Sequence, residues 1–242
     1  MRLGLLGKNI SYSFSKGYFT EKFQNMGLVN HTYENFDLET IEAFKEVIKT
    51  NPDINGLNVT IPYKQAVIPY LDKLEAKAKK IGAVNTIKFT KKGLKGYNTD
   101  IYGFKNSILP FLKKHHQKAL ILGTGWASKA IAFVFDELNI PYKFVSRNPE
   151  EKQFSYSDIT QEVLNTYTIL VNCTPLGTHP NTTDKPSIPY QFINKEHLLF
   201  DLIYNPAKTA FLKEGESKGA AIANGLKMLE LQAEKAWEIW NS

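Results

Sequence analysis

The segment ALILGTGWASKA, which begins at Ala119, sets Gly123 and Gly125 between an apolar run and an amphipathic stretch. At a strand-to-helix turn, glycine lets the backbone approach a pyrophosphate. The helix that follows offers its unpaired N–H groups and partial positive charge to the same anion. Gly123, Gly125, Trp126, Ala127 and Ser128 therefore form a candidate cofactor turn, with Ser128 where the strict G-x-G-x-x-G pattern has its third glycine. The spacing alone also fits a tight βα turn without a ligand; the strand–turn–helix context favours a dinucleotide. The next apolar run ends in YKFVSRNP, with Ser146, Arg147 and Asn148 where an NAD enzyme usually carries a carboxylate for the ribose. An arginine suits a 2′-phosphate, because its planar fork can take the phosphate bidentately. The two segments together read as an NADP site, against a bland alternative in which Arg147 is a solvated surface residue.

Polar motifs precede this turn: Ser11-Tyr12-Ser13-Phe14-Ser15, then GLNVTIPYK (56–64), GAVNT (82–86) and GYNTD (96–100). All fall at the ends of expected strands, where open α/β sheets bind ligands. Singly, each has an ordinary reading. The serines fit a loop or a helix cap, Lys64 a surface lysine, Asp100 an N-cap.

The elements that must hold these groups follow from short apolar runs alternating with amphipathic stretches, the pattern of an α/β protein. Strands are expected near 2–6, 31–36, 55–59 and 84–89, and helices near 15–27, 38–50 and 62–80, with Pro62 in the first turn of the third. A hairpin follows, 84–89 with 94–97. A second α/β series runs from a helix capped by Asn98-Thr99-Asp100, ending near 113, through strands at 119–123, 142–146, 168–171 and 198–202. The helix expected over 126–138 lies between the first two. After Gly225, Leu226, Leu229, Ala233, Ala236, Trp237 and Trp240 recur at spacings of three and four, a stripe that must pack on something.

The 242 residues are 43% apolar and 22% charged, which excludes a disordered or collagenous chain. A net charge of +6 favours anionic small molecules, while no run of like charges marks a nucleic-acid tail. The single cysteine, Cys173, rules out an intramolecular disulfide framework and fits a reducing cytoplasm. The histidines show no metal-ligand spacing. The opening apolar run is too short for a signal peptide, and no stretch reaches the length of a membrane span. The expected partners are thus small molecules, without nucleic acid or membrane, in a monomer or a homodimer.

NVTIPYK, GAVNT and GYNTD, followed by NCTPLG (172–177), FDLIYNP (200–206) and GLKMLELQA (225–233), together closely resemble the shikimate dehydrogenase family. The resemblance spans nearly the whole chain. It implies a two-domain α/β enzyme that reduces 3-dehydroshikimate to shikimate with NADPH, in the route through chorismate to aromatic amino acids. An α/β substrate-binding domain would comprise 1–100, completed by 225–242. A doubly wound, Rossmann-type NADP domain would comprise 101–224. By the same resemblance, Ser13 and Ser15 hold the substrate carboxylate, and Thr60, Asn85 and Gln232 bind its polar edge. Lys64 and Asp100 form the catalytic pair, and Tyr204 and Gly225 lie near the junction of nicotinamide and substrate. Reduction of a ketone needs a proton donor and the reverse reaction a base, which suits this pair.

The chain departs from the family in several places. The usual H-S-x-S-P reads Tyr12-Ser13-Phe14-Ser15-Lys16, without the histidine and the proline. Trp126 replaces a small residue, where it would cover or crowd a pyrophosphate. Glu150 and Glu151 stand where a further basic residue often follows Arg147, which weakens the preference for NADP over NAD. The rival readings are an NAD-dependent quinate/shikimate dehydrogenase and a non-catalytic NADP-binding sensor. The intact Lys64 and Asp100 argue against the sensor, which has no use for an acid–base pair.

Overall fold

The computed structural model describes residues 1–11 and 13–242, so the Tyr12 departure lies outside the described residues. The chain divides into two compact units, Met1–Thr99 with Ala233–Ser242, and Asp100–Gln232.

The first unit contains β1 (Arg2–Gly7), α1 (Phe14–Asn25), β2 (Thr32–Asp37), α2 (Phe44–Thr50), β3 (Ile54–Val59), α3 (Tyr63–Ala66), β4 (Lys73–Leu74), α4 (Ala76–Ile81), β5 (Thr86–Thr90) and β6 (Gly93–Tyr97). Its six strands lie in the order β2-β1-β3-β5-β6-β4. The β2-β1-β3 part is parallel, and the hairpin β5-β6 joins β3 antiparallel. Leu3 and Leu5 on one sheet face pack with Ile10, Phe19, Phe23 and Tyr33. Leu6, Leu57, Val59 and Ile87 build the core that includes Phe44, Tyr63 and Val67.

The helix expected over 62–80 does not form. After α3 the chain makes a 3-10 turn (Ile68–Tyr70), then the edge strand β4, then α4. Pro69 lies inside the expected helix, where it has no N–H to donate and its ring clashes with the preceding turn. Glu75 opens α4 by accepting from the amides of Lys77 and Ala78, at 2.9 and 3.2 Å. Pro62 stands one position before α3.

The second unit contains α5 (Asp100–Ile108), β7 (Ala119–Leu122), α6 (Trp126–Glu137), β8 (Tyr142–Ser146), β9 (Phe154–Ser155), α7 (Gln161–Thr166), β10 (Ile169–Asn172), β11 (Leu198–Asp201), α8 (Ala210–Ser217), β12 (Ala221–Ala223) and α9 (Leu226–Asn241), whose last residues belong to the first unit. Six parallel strands run in the order β12-β11-β10-β7-β8-β9. Counted from β7, this is the doubly wound order 3-2-1-4-5-6, which opens a crevice beyond the strand ends at the β7/β10 reversal. Every residue of β7, β10 and β11 is buried, as expected of parallel strands covered on both faces. The helix from Asp100 ends at Ile108, because Pro110 follows in a 3-10 turn.

The unit boundary cuts α9 between Gln232 and Ala233, not ahead of it at Gly225. Its first half packs on α5 within the second unit, where a Cβ on Gly103 would meet the Met228 carbonyl at 2.5 Å. Its second half completes the first unit: Ala233, Ala236 and Trp240 join the cluster of Leu3, Phe19 and Tyr33. The Trp240 indole N–H donates to the Ile87 carbonyl at 3.0 Å and lies over Gly56, where a Cβ would come within 2.2 Å of it. Leu226, expected in the apolar stripe, is exposed, and Met228 is buried in its place. No helix among the described residues is long and apolar enough to cross a membrane.

Candidate functional site

In the first unit the serine loop is shaped from β2. The Asp37 carboxylate accepts from the amides of Asn9 and Ile10, at 2.8 and 3.1 Å. The Asn35 side chain donates to the Ile10 carbonyl at 2.8 Å. Ser13 is the N-cap of α1, its hydroxyl accepting from the Lys16 amide at 3.3 Å. A proline at 16 has no N–H for this bond, so the departure from S-x-S-P gives Ser13 a cap. Accepting that amide leaves the Ser13 proton available to donate to a carboxylate at the positive end of a helix.

Thr60 follows β3, held by its amide on the Leu6 carbonyl at 2.9 Å, and its own carbonyl accepts from Tyr63. Lys64 is the second residue of the four-residue α3 and is half-buried. Its carbonyl accepts from the Val84 amide at 2.7 Å, which ties the NVTIPYK segment to GAVNT. Asn85 is buried. Its side-chain oxygen accepts from the Thr99 amide at 2.7 Å and its nitrogen donates to the Thr99 hydroxyl at 3.0 Å. Ser13, Ser15, Thr60, Lys64 and Asn85 thus belong to one unit, on the segments that follow β1, β3 and α4.

In the second unit Gly123 has φ +99°, a left-handed conformation that favours glycine, and packs against Cys173 and Thr174 at the sheet reversal. Its amide donates to the Val145 carbonyl at 2.8 Å, joining the turn to the end of β8. Gly125 precedes α6, and a Cβ there would meet nothing within 4 Å. That open cradle, with the first amides of a twelve-residue helix behind it, fits a pyrophosphate. The Trp126 indole is 38% exposed and lies beneath the Lys129 ammonium, 4.0 Å from the ring centroid. Ser128 is fully buried and donates its hydroxyl proton to the Gly125 carbonyl at 2.6 Å, so its side chain braces the turn from behind. Ser146 accepts from the Asn148 amide at 3.2 Å, bending the chain beyond β8 and leaving Arg147 exposed.

Asp100 is the first residue of α5 and is 4% exposed. Gln232, on α9, lies beside Gly103 of α5, whose Cβ would be 3.2 Å from its own. Gly225 cannot carry a side chain, since a Cβ would lie 2.0 Å from the Leu202 carbonyl, and its amide donates to Ile203 at 3.1 Å. The segment bearing Tyr204, itself 38% exposed, is therefore locked to the start of α9.

Two hydrogen-bond networks had no counterpart in the reading of the sequence. Asp201 accepts from the Thr209 hydroxyl at 2.6 Å, the Ile203 amide at 3.0 Å and the Asn172 side chain at 3.1 Å. It thereby joins the NCTPLG and FDLIYNP segments, and burial pushes its carboxyl up to about 6. Burial likewise pushes the Cys173 thiol up, which agrees with a packed residue and not a nucleophile. The second network runs through Tyr33 and Asn58. Its one sequence signal is Asn58, a polar residue inside an apolar strand.

The strand order of the second unit and the glycine turn after its central strand define a Rossmann-type α/β protein. Residues 5–87 match the shikimate dehydrogenase substrate binding domain. The chain is 36% identical to shikimate dehydrogenase (NADP(+)) of Methanococcus aeolicus over 255 residues, covering 98% of this chain and 91% of that one. It is 38% identical to shikimate dehydrogenase (NADP(+)) of Clostridium botulinum over 248 residues, covering 98% and 95%. The crystal structure of shikimate 5-dehydrogenase from Thermus thermophilus in complex with NADP(H) and shikimate superposes with a TM-score of 0.87 at 29% identity, covering 99% of this chain and 93% of that one. The chain belongs to the shikimate dehydrogenase family.

Proposed function

We propose that this protein is an NADP-dependent shikimate dehydrogenase, interconverting 3-dehydroshikimate and shikimate in aromatic amino-acid biosynthesis in the cytoplasm. The observation that carries the reading is the tie of Lys64 to Val84, with Asn85 fixed on Thr99, in a chain whose relatives bear that name.

In this reading Met1–Thr99 with Ala233–Ser242 binds the substrate, and Asp100–Gln232 binds the cofactor. Ser13 and Ser15 take the carboxylate as hydroxyl donors. Thr60, Asn85, Tyr204 and Gln232 bind the ring hydroxyls. Lys64 exchanges the proton at the reacting oxygen, and Asp100 orients Lys64 and holds a neighbouring hydroxyl. Gly123, Gly125, Trp126, Ala127 and Ser128 cradle the pyrophosphate, Ser146, Arg147 and Asn148 the 2′-phosphate, and Gly225 the nicotinamide end. NADPH supplies the hydride when bound.

The test offers purified protein shikimate and quinate, each with NADP and NAD, beside the Lys64→Ala variant. Shikimate with NADP should be the preferred pair. Lys64→Ala should lower turnover by roughly 10²–10⁴-fold with little change in NADP affinity. Preference for quinate with NAD would overturn the substrate reading. Near-normal turnover by Lys64→Ala would overturn the assignment of the proton to Lys64.

A further inference from the structure

We propose that Tyr33 is a positioning residue for the substrate site, holding Asn85 at its ring-hydroxyl end through a chain of hydrogen bonds. The proposal rests on the substrate reading above.

Tyr33 and Asn58 sit on one face of the sheet, separated by β1: Leu3 pairs with Tyr33, and Leu5 pairs with Asn58. Asn58 in turn pairs with Thr86 on β5. A polar row thus crosses a face otherwise made of Leu3, Leu5, Phe19 and Trp240. Polar groups in such a place destabilise the fold unless each is paired, and here they pair with one another. The Tyr33 hydroxyl donates to the Asn58 side-chain oxygen at 2.7 Å. The Asn58 nitrogen donates to the Asn85 carbonyl at 3.3 Å and to the Thr86 hydroxyl at 3.2 Å. The Thr86 hydroxyl donates to the Asn85 side-chain oxygen at 3.2 Å.

The direction of the chain is determined. Two acceptors surround the Asn58 nitrogen, so its oxygen faces Tyr33 and takes the only proton Tyr33 has. The ring that carries the Tyr33 hydroxyl is 5% exposed and stacks on Phe19 with centroids 4.7 Å apart. Asn58 is therefore held by a rigid group, against both the backbone and the neighbour of Asn85.

Tyr33→Phe removes one oxygen and keeps the stacked ring. The shikimate KM should rise roughly two- to tenfold, the effect of one neutral hydrogen bond. NADP KM and kcat should be unchanged. In double-mutant cycles, Tyr33→Phe should be non-additive with Asn85→Ala. Thr86→Val cuts the chain at its other end with little change of shape and should show the same split between KM and kcat. If the wild type turns over shikimate while Tyr33→Phe leaves its KM unchanged, or the cycles are additive, the positioning role is refuted. A lowered melting temperature with an unchanged KM has the same meaning. Failure of the wild type to use shikimate would instead refute the substrate reading on which the role depends.

Discussion

Replacing Asp201 by asparagine tests whether the buried carboxylate governs the pH dependence of stability. Its carboxyl is raised from 3.8 to about 6, chiefly by burial, while the Thr209, Ile203 and Asn172 donors pull the other way. The folded state therefore binds the proton more tightly than the unfolded chain does. A group of this kind contributes stability that is full below about pH 4 and is lost as pH rises through about 6. A shift of about two units at about 1.4 kcal/mol each makes the whole effect about 3 kcal/mol, of which about 2 kcal/mol falls between pH 4.5 and 8. Asparagine keeps the shape and the oxygen that faces Ile203 and Asn172, but turns an amide toward the Thr209 hydroxyl. That exchange adds a penalty of about 1–2 kcal/mol that does not vary with pH. Urea unfolding of wild type and Asp201→Asn, followed by circular dichroism at pH 4.5 and 8, separates the two contributions, because every other titrating group cancels in the difference. Wild-type stability relative to the variant should be about 2 kcal/mol lower at pH 8 than at pH 4.5. A difference that stays constant over that interval would refute the reasoning.

Gly56→Ala should cost about 2–4 kcal/mol, since its methyl displaces the Trp240 indole and breaks the bond to Ile87; an unchanged thermal midpoint would show that Trp240 relocates freely. Gly125→Ala should leave stability unchanged, because its φ of −68° suits any residue and its Cβ meets nothing. Its KM for NADP should nevertheless rise by about tenfold, the equivalent of about 1.4 kcal/mol, as the methyl enters the pyrophosphate cradle; unimpaired NADP titration would place the pyrophosphate elsewhere.

The strands other than β4, β9 and β12 were legible because most are short apolar runs bounded by turn residues. The glycine turn was legible for the same reason, since ALIL leads straight into it. The short α7 and α8 and the edge strands β9 and β12 were not, for each is too brief to establish a period. The 62–80 segment kept a helical spacing of apolar residues across Pro69, and the loss of one amide donor outweighed the pattern. The residue types of the proposed chemistry stand in the sequence as Lys64, Asn85 and Arg147. Their support does not. Tyr33 and Asn58 lie 25 positions apart, and only the register of two strands against β1 brings them together. Asp201 could be read as part of a motif, but two of its three donors lie outside that motif, Asn172 at the end of β10 and Thr209 just ahead of α8.

The division of α9 between the units sets an order of folding during synthesis. The strands of the first unit are synthesised before the second unit, yet Phe19, Tyr33 and Gly56 must wait for Ala233, Ala236 and Trp240, which follow it. The second unit is contiguous and has no such debt to later sequence. A nascent chain halted before Ala233 therefore carries an uncovered aromatic face on its first unit, which closes only when α9 brings the Trp240 indole onto Gly56.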